Sequence, residues 1–165
     1  MNQIERHPRL PNPAMVDYCA KKNILITAYS AFGNNNIGVP LLVNEPEVKA
    51  IAERLSQAQG KTVTAAQVVL AWSQIGGHSV IPKSVTPSRI RENFQEVELD
   101  QEAIQALDAM GKNPRRFNIP LTCKVVQRLV FPCIIDCFAD PLKWDINIFN
   151  EDAEKDAGRQ VLLKV

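Results

Sequence analysis

Lys83-Ser84 places a cation beside a hydroxyl, and Arg89 follows after Thr86-Pro87. The residues ahead of them, Ser79-Val80-Ile81-Pro82, form a short apolar run that suits a strand, and Pro82 prevents any longer ladder. Thr86-Pro87 has the form of an N-cap followed by a proline at the first helical position, so a helix opens there and runs through Asn93. A lysine and a serine at a strand end, facing a helix start, can hold an anion. The ammonium supplies a point charge, the hydroxyl and free N–H groups donate hydrogen bonds, and the helix dipole adds favourable potential. Arg89 falls in the first turn of that helix, close enough to reach the same anion. The spacing alone equally suits ordinary solvated charges.

Two other strand ends carry polar groups: Gln3 on a clipped first strand, Asn2–Glu5, and Tyr29-Ser30 after the buried run Ile24–Tyr29. In parallel α/β architectures, ligands bind at the carboxyl ends of the strands. The intervening segments are helical in pattern. Asn12-Pro13 opens one carrying Val16, Cys19 and Ala20 on a face. Asn44 and Glu47 form a plausible capping pair before Val48, Ile51, Ala52 and Leu55, and Gly60 is a credible stop. Thr64 and Gln67 repeat that pattern before Val68, Val69, Ala71 and Trp72. Asp100 caps a last helix carrying Ile104 and Leu107 up to Gly111. Phe32-Gly33-Asn34-Asn35-Asn36-Ile37-Gly38 has the composition of turns with positive φ.

Strand and helix alternate three times, which implies parallel strands with right-handed crossovers. A doubly wound sheet and part of a (β/α)8 barrel both satisfy this pattern. A complete barrel typically takes about 250 residues, and the chain has 165. Nineteen Lys and Arg against eighteen Asp and Glu leave a net charge of +1. That balance excludes charge-driven binding to nucleic acid or to a polybasic-selective membrane surface as the default. No apolar run approaches the roughly 18 residues that a membrane helix needs, and Met1–Leu10 has no signal-peptide core. Four cysteines in such a chain read as reduced thiols, and a soluble, cytoplasmic protein is expected.

Three blocks taken together carry a resemblance. Asn2-Gln3-Ile4-Glu5 with His7-Pro8, then Ile26-Thr27-Ala28-Tyr29-Ser30, then Val80-Ile81-Pro82-Lys83-Ser84 with Arg89-Ile90-Arg91-Glu92-Asn93, resemble the C-terminal half of the aldo-keto reductase family. The likeness runs from Met1 to about Thr122, and the loop and C-terminal wording resemble fungal members acting on small aldehydes and polyols. It implies an α/β fold, a partial (β/α)8 barrel of roughly the last three β/α units plus a C-terminal tail. It also implies NADPH-dependent reduction of aldehydes and ketones. Residue by residue, Gln3 would bond the nicotinamide carboxamide and Tyr29 would stack on the nicotinamide ring. Ser30, Phe32 and Gly33 would touch the pyrophosphate. Lys83, Ser84 and Arg89 would hold the 2′-phosphate of the adenosine ribose, making NADP(H) the expected dinucleotide, and Glu92 and Asn93 would bind the adenine. A flat ring needs an aromatic shelf, and a dianionic phosphate needs fixed cations.

The family transfers the proton with a tyrosine supported by a lysine, an aspartate and a histidine, all ahead of the point where this chain begins. Tyr18, Tyr29, His7 and His78 are not in the matching context. His7 suits a loop or packing role, and Tyr18 a packing role in its helix. No catalytic residue is assigned, so a C-terminal fragment is expected, or alternatively a non-catalytic NADP-binding or interaction module, or a non-functional truncated product. Residues 1–122 would be the reductase part, 123–141 an atypical insert of retained-intron character, and 142–165 a C-terminal tail. Cys133 and Cys137 lie in that insert without a second pair, so no metal is assigned. Removing strands from a barrel should leave one sheet face open as a large apolar patch, with poor solubility.

Overall fold

Three parallel strands, β1 (Asn2–Glu5), β2 (Ile26–Tyr29) and β3 (Ser79–Val80), form one sheet in that order. They are seen in a computed structural model that describes residues 1–34 and 39–118. Five α-helices join and follow them: α1 (Pro13–Lys21), α2 (Pro46–Gln59), α3 (Ala65–Gln74), α4 (Pro87–Asn93) and α5 (Gln101–Met110). Residues 1–118 make one compact unit. The expectations for 123–141, with Cys133 and Cys137, and for the tail 142–165 lie outside the described residues. Among the described residues no helix is long and apolar enough to cross a membrane.

The register pairs Gln3 with Thr27, Glu5 with Tyr29, and Thr27 with Ser79. Side chains alternate along a strand, so Ile4, Ile26, Ala28 and Val80 avoid the face shared by Gln3, Glu5, Thr27, Tyr29 and Ser79. The first set faces the helices, with Ile26 and Ala28 buried and Val80 against the main core. In that core α2 contributes Val48, Ile51 and Leu55, α3 contributes Val68, Val69 and Trp72, and α5 contributes Leu107 and Met110. The second face is polar at every paired position, and Thr27 Oγ1 and Ser79 Oγ share a hydrogen bond of 2.7 Å across it. The expected apolar patch on this face is therefore corrected. Gln3 is exposed on it, while Thr27 and Glu5 are buried with hydrogen-bond partners, so its paired positions present no aliphatic side chain.

Several local expectations shift for identifiable reasons. β2 begins at Ile26 because Asn23 turns the chain with φ +54 and the Ile24 N–H bonds back to Cys19, leaving Leu25 exposed. Asn12 takes φ +49 and does not cap α1, and its amide donates instead to the Glu5 carbonyl at 2.8 Å. Of the face expected on α1 only Cys19 is buried, and Tyr18 is 57% exposed rather than packed. Asn44 closes a 3-10 turn, Leu42–Asn44, so α2 starts one residue later with Glu45 as its N-cap and Pro46 inside it. The Thr64–Gln67 capping box forms in full, and Gly60 ends α2 with φ +63.

Asp100 does cap α5, accepting the Ala103 N–H at 2.8 Å, and its two oxygens also take Arg54 at 2.6 and 2.7 Å. The Arg54 hydrogen bonds and the capped N–H hold its carboxyl down at about 2. A depressed carboxyl stabilises the fold above its ordinary value and loses that contribution as pH falls through the lowered one. Asp100→Asn keeps a capping oxygen but cannot titrate. The gap in Tm between wild type and this variant should close between about pH 4 and about pH 2. A gap independent of pH over that range would mean that the ion pair contributes nothing.

Candidate functional site

Beyond the ends of β2 and β3 the chain encloses a cavity of about 860 Å³. Ser30, Phe32 and Gly33 enter it from the turn after β2. Lys83 and Ser84 enter from the segment after β3, and Arg89, Glu92 and Asn93 from α4. These residues, far apart in sequence, were expected to touch one dinucleotide, and they share one concavity. Thr64, Ala65 and Ala66, at the start of α3, form a further wall. The sequence marked Thr64 only as a cap, and the two alanines carried no signal because their use is to be small beside a cavity.

Among the described residues neither Lys83 nor Arg89 pairs with a carboxylate, whereas Arg9, Arg54, Arg115 and Arg116 all do. Two exposed, unpaired cations on one cavity leave a positive potential that an anion would satisfy. The Ser84 hydroxyl accepts the Thr86 N–H at 3.2 Å, which fixes the oxygen and leaves its own O–H free to donate. The helix start contributes less than the sequence implied. α4 has only seven residues, with a proline in its first turn and no side-chain cap, so the cations and the hydroxyl carry the attraction.

The turn after β2 is strained. Ser30 has φ +50, and the Gly33 N–H donates to the Ser30 carbonyl at 2.7 Å. Gly33 itself has φ +81, and a Cβ there would lie 2.5 Å from the Phe117 ring. Asn118 Nδ2 donates to Ser30 Oγ at 2.9 Å, leaving the serine proton free to point elsewhere. The Gly33 N–H is thus already engaged, and only the Ser30 hydroxyl of this pair remains as a donor.

Gln3 and Tyr29 lie outside this cavity's lining. Gln3 sits inside β1 rather than at its end, exposed, and Tyr29 closes β2, half-buried. Burial and the Glu5 carboxylate push the Tyr29 hydroxyl above its ordinary value, so it stays protonated at neutral pH.

Glu5, the true end of β1, was missed as a key residue. It is 2% exposed. Its oxygens accept the Phe117 N–H at 2.7 Å and the Asn118 N–H at 3.1 Å, and His7 Nε2 stands 3.1 Å away. Burial pushes the carboxyl up, but the His7 and Phe117 hydrogen bonds outweigh it and hold it below the ordinary value. Burial likewise lowers His7, against the opposing pull of Glu5. His7 is therefore a neutral donor to Glu5, packed edge-on against Phe117 with ring centroids 5.2 Å apart. This is the packing role its sequence context suggested. An acidic residue two positions before a histidine at a strand end was the available signal.

The sequence profile described as the Aldo/keto reductase family matches residues 1–112. The chain belongs to the aldo/keto reductase family. It is 60% identical to a D/L-glyceraldehyde reductase of Hypocrea jecorina over 165 residues, covering 100% of this chain and 45% of that protein. A glycerol 2-dehydrogenase (NADP(+)) of the same organism is 41% identical over 72% of this chain and 37% of its own. Among solved structures, an aldose reductase from Giardia lamblia superposes with a TM-score of 0.63 at 35% identity. It covers 73% of this chain and 40% of that one. The chain thus spans less than half the length of the curated reductases it matches. Its likeness to fungal aldehyde and polyol reductases agrees with the resemblance carried by the three sequence blocks.

Proposed function

We propose that residues 1–118 form the dinucleotide-holding part of an NADP(H)-dependent carbonyl reductase acting on small aldehydes or polyols. In this reading the three β/α units are the last three of a (β/α)8 barrel. The observation that carries it is the pair of cations, Lys83 and Arg89, without carboxylate partners among the described residues and lining one cavity with the Ser84 hydroxyl. That donor set fits a dianionic 2′-phosphate, and an uncharged ribose hydroxyl would give it nothing to neutralise.

The Glu92 carboxylate and the Asn93 amide, on the same wall, would take the exocyclic amine and ring nitrogens of an adenine. The free Ser30 hydroxyl would donate to the pyrophosphate. Phe32 and Gly33 would bring backbone close to it, the glycine allowing the approach rather than donating. Tyr29, kept neutral, would offer its ring as a shelf for the nicotinamide, and Gln3 its amide for the carboxamide. Bound NADPH would supply the hydride. No residue of this chain is assigned to proton transfer and none to a metal. The name of the NADP(+)-linked relative supports the choice of dinucleotide. The reading carries a cytoplasmic setting.

Titration of NADPH and NADH against wild type, Lys83→Ala and Arg89→Ala tests this assignment. Each substitution should weaken NADPH by about ten- to a hundredfold, the worth of one charge-assisted contact at roughly 1.5–3 kcal/mol. NADH binding should change by less than about twofold, because no phosphate is there to lose a partner. Equal losses for the two dinucleotides would show that these residues do not read the phosphate.

A further inference from the structure

The helix α4 presents Arg89, Glu92 and Asn93 to the cavity, yet none of its seven residues is buried. A short helix with a proline in its first turn, no side-chain cap and no buried apolar anchor needs another means of holding its place. Among the described residues, one side-chain hydrogen bond reaches it from another helix: Gln67 Nε2 donates to the Glu92 carbonyl at 3.2 Å. The same nitrogen donates to Gln95 Oε1, also at 3.2 Å.

Gln67 is itself 4% exposed and sits in the third position of α3. Its oxygen accepts the Thr64 N–H at 2.9 Å, and its own N–H donates to Thr64 Oγ1 at 3.2 Å, completing the capping box. One amide is therefore divided between two tasks. Its oxygen serves the start of α3, and its two hydrogens serve the Glu92 carbonyl of α4 and the Gln95 side chain just past the end of that helix. The reversed orientation would set NH2 against the Thr64 N–H and an oxygen against the Glu92 carbonyl, so the network admits a single arrangement. A capping box accepts glutamate or glutamine at this position. Only glutamine also has hydrogens to give to α4.

We propose that Gln67 is a positioning residue for the cavity, tying the wall at Thr64–Ala66 to the wall at Glu92 and Asn93. It acts on a bound nucleotide only through Glu92 and Asn93. The proposal rests on the reading that the adenosine end of the dinucleotide occupies this cavity. Without the tie, α4 pivots on the segment after β3, and the adenine contacts lose their fixed distance from the phosphate contacts.

Three variants separate this role from helix stability. Gln67→Glu keeps the oxygen that the cap requires and removes the donors. Gln67→Met is similar in volume and removes them without adding a charge; it also gives up the oxygen on the Thr64 N–H, so it serves, read beside Thr64→Ala, if the buried carboxylate prevents folding. Thr64→Ala damages the cap and leaves the tie. Amide hydrogen exchange of the 165-residue chain should be about three- to tenfold faster at Phe94 and Gln95 in both Gln67 variants, the loss of one neutral hydrogen bond. In Thr64→Ala the increase should instead fall on the first turn of α3. The affinity for 2′,5′-ADP should drop about three- to tenfold in the Gln67 variants and stay within about twofold in Thr64→Ala. Unchanged exchange at Phe94 and Gln95 in the Gln67 variants overturns the tie. Equal acceleration at those two residues in Thr64→Ala overturns it as well, because the effect would then be helix stability alone. Failure of wild type to bind 2′,5′-ADP overturns the nucleotide reading instead, and the exchange rates still decide the tie.

Discussion

Replacing Glu5 by alanine should lower the unfolding free energy by about 3–5 kcal/mol, the range for removing one partner of a buried charged network. The carboxylate is the acceptor for the Phe117 and Asn118 N–H groups and for His7, with Arg116 at 3.8 Å. Alanine leaves those donors facing a cavity too small and enclosed to replace the lost bonds with bulk water. Urea unfolding checks this, and a cost below about 1 kcal/mol would show that the network merely accompanies the packing. The pH dependence is separable. Glu5 lies below its ordinary 4.5 in the fold, so its contribution is present above that value and fades as pH falls below it. His7 is also lowered, from 6.5, so the unfolded chain takes its proton first and stability declines as pH falls from that value. Glu5→Ala should erase the limb below 4.5 and preserve the limb that starts at 6.5.

Gly33→Ala should be the most damaging single methyl group in the described fold, at about 2–4 kcal/mol. Its φ of +81 disfavours any side chain, and the new Cβ would meet Phe117 Cζ at 2.5 Å. The ring cannot retreat easily: Phe117 is 1% exposed, its N–H is held by Glu5, and His7 packs edge-on against it at 5.2 Å. A double-mutant cycle separates the two sources of cost. Phe117→Ala alone should lose about 3–5 kcal/mol by leaving a cavity. In that background the steric part vanishes and the penalty of Gly33→Ala should shrink by about 1–3 kcal/mol, leaving the backbone strain. Strict additivity of the two substitutions would show that the ring moves aside at no cost. The same pair bears on the site, because Gly33 lines the cavity and Phe117 is what it rests against.

What the sequence determined by itself is local. Proline at the start of α1 and α4, the Thr64–Gln67 box, Asp100 and Gly60 mark helix ends through interactions spanning only a few residues, so their chemistry is visible in the string. The Lys83-Ser84 and Arg89 spacing belongs to this class: one strand end and one helical turn bring those groups to the same place. The apolar runs on α2, α3 and α5 show their periodicity for the same reason. Tertiary structure decided whatever depends on residues distant in sequence. Glu5 becomes a buried acceptor only because Phe117, 112 positions later, brings its N–H there. Gly33 owes the steric part of its requirement to that ring standing over it, and Gln67 acquires a second task only where α4 passes its free NH2. The polarity of the open sheet face followed from register, which pairs Gln3 with Thr27 and Glu5 with Tyr29. A strand's alternation defines two faces, but which one meets the helices is settled by burial, and here Ile26 and Ala28 went inward because only the helices offered them an apolar surface.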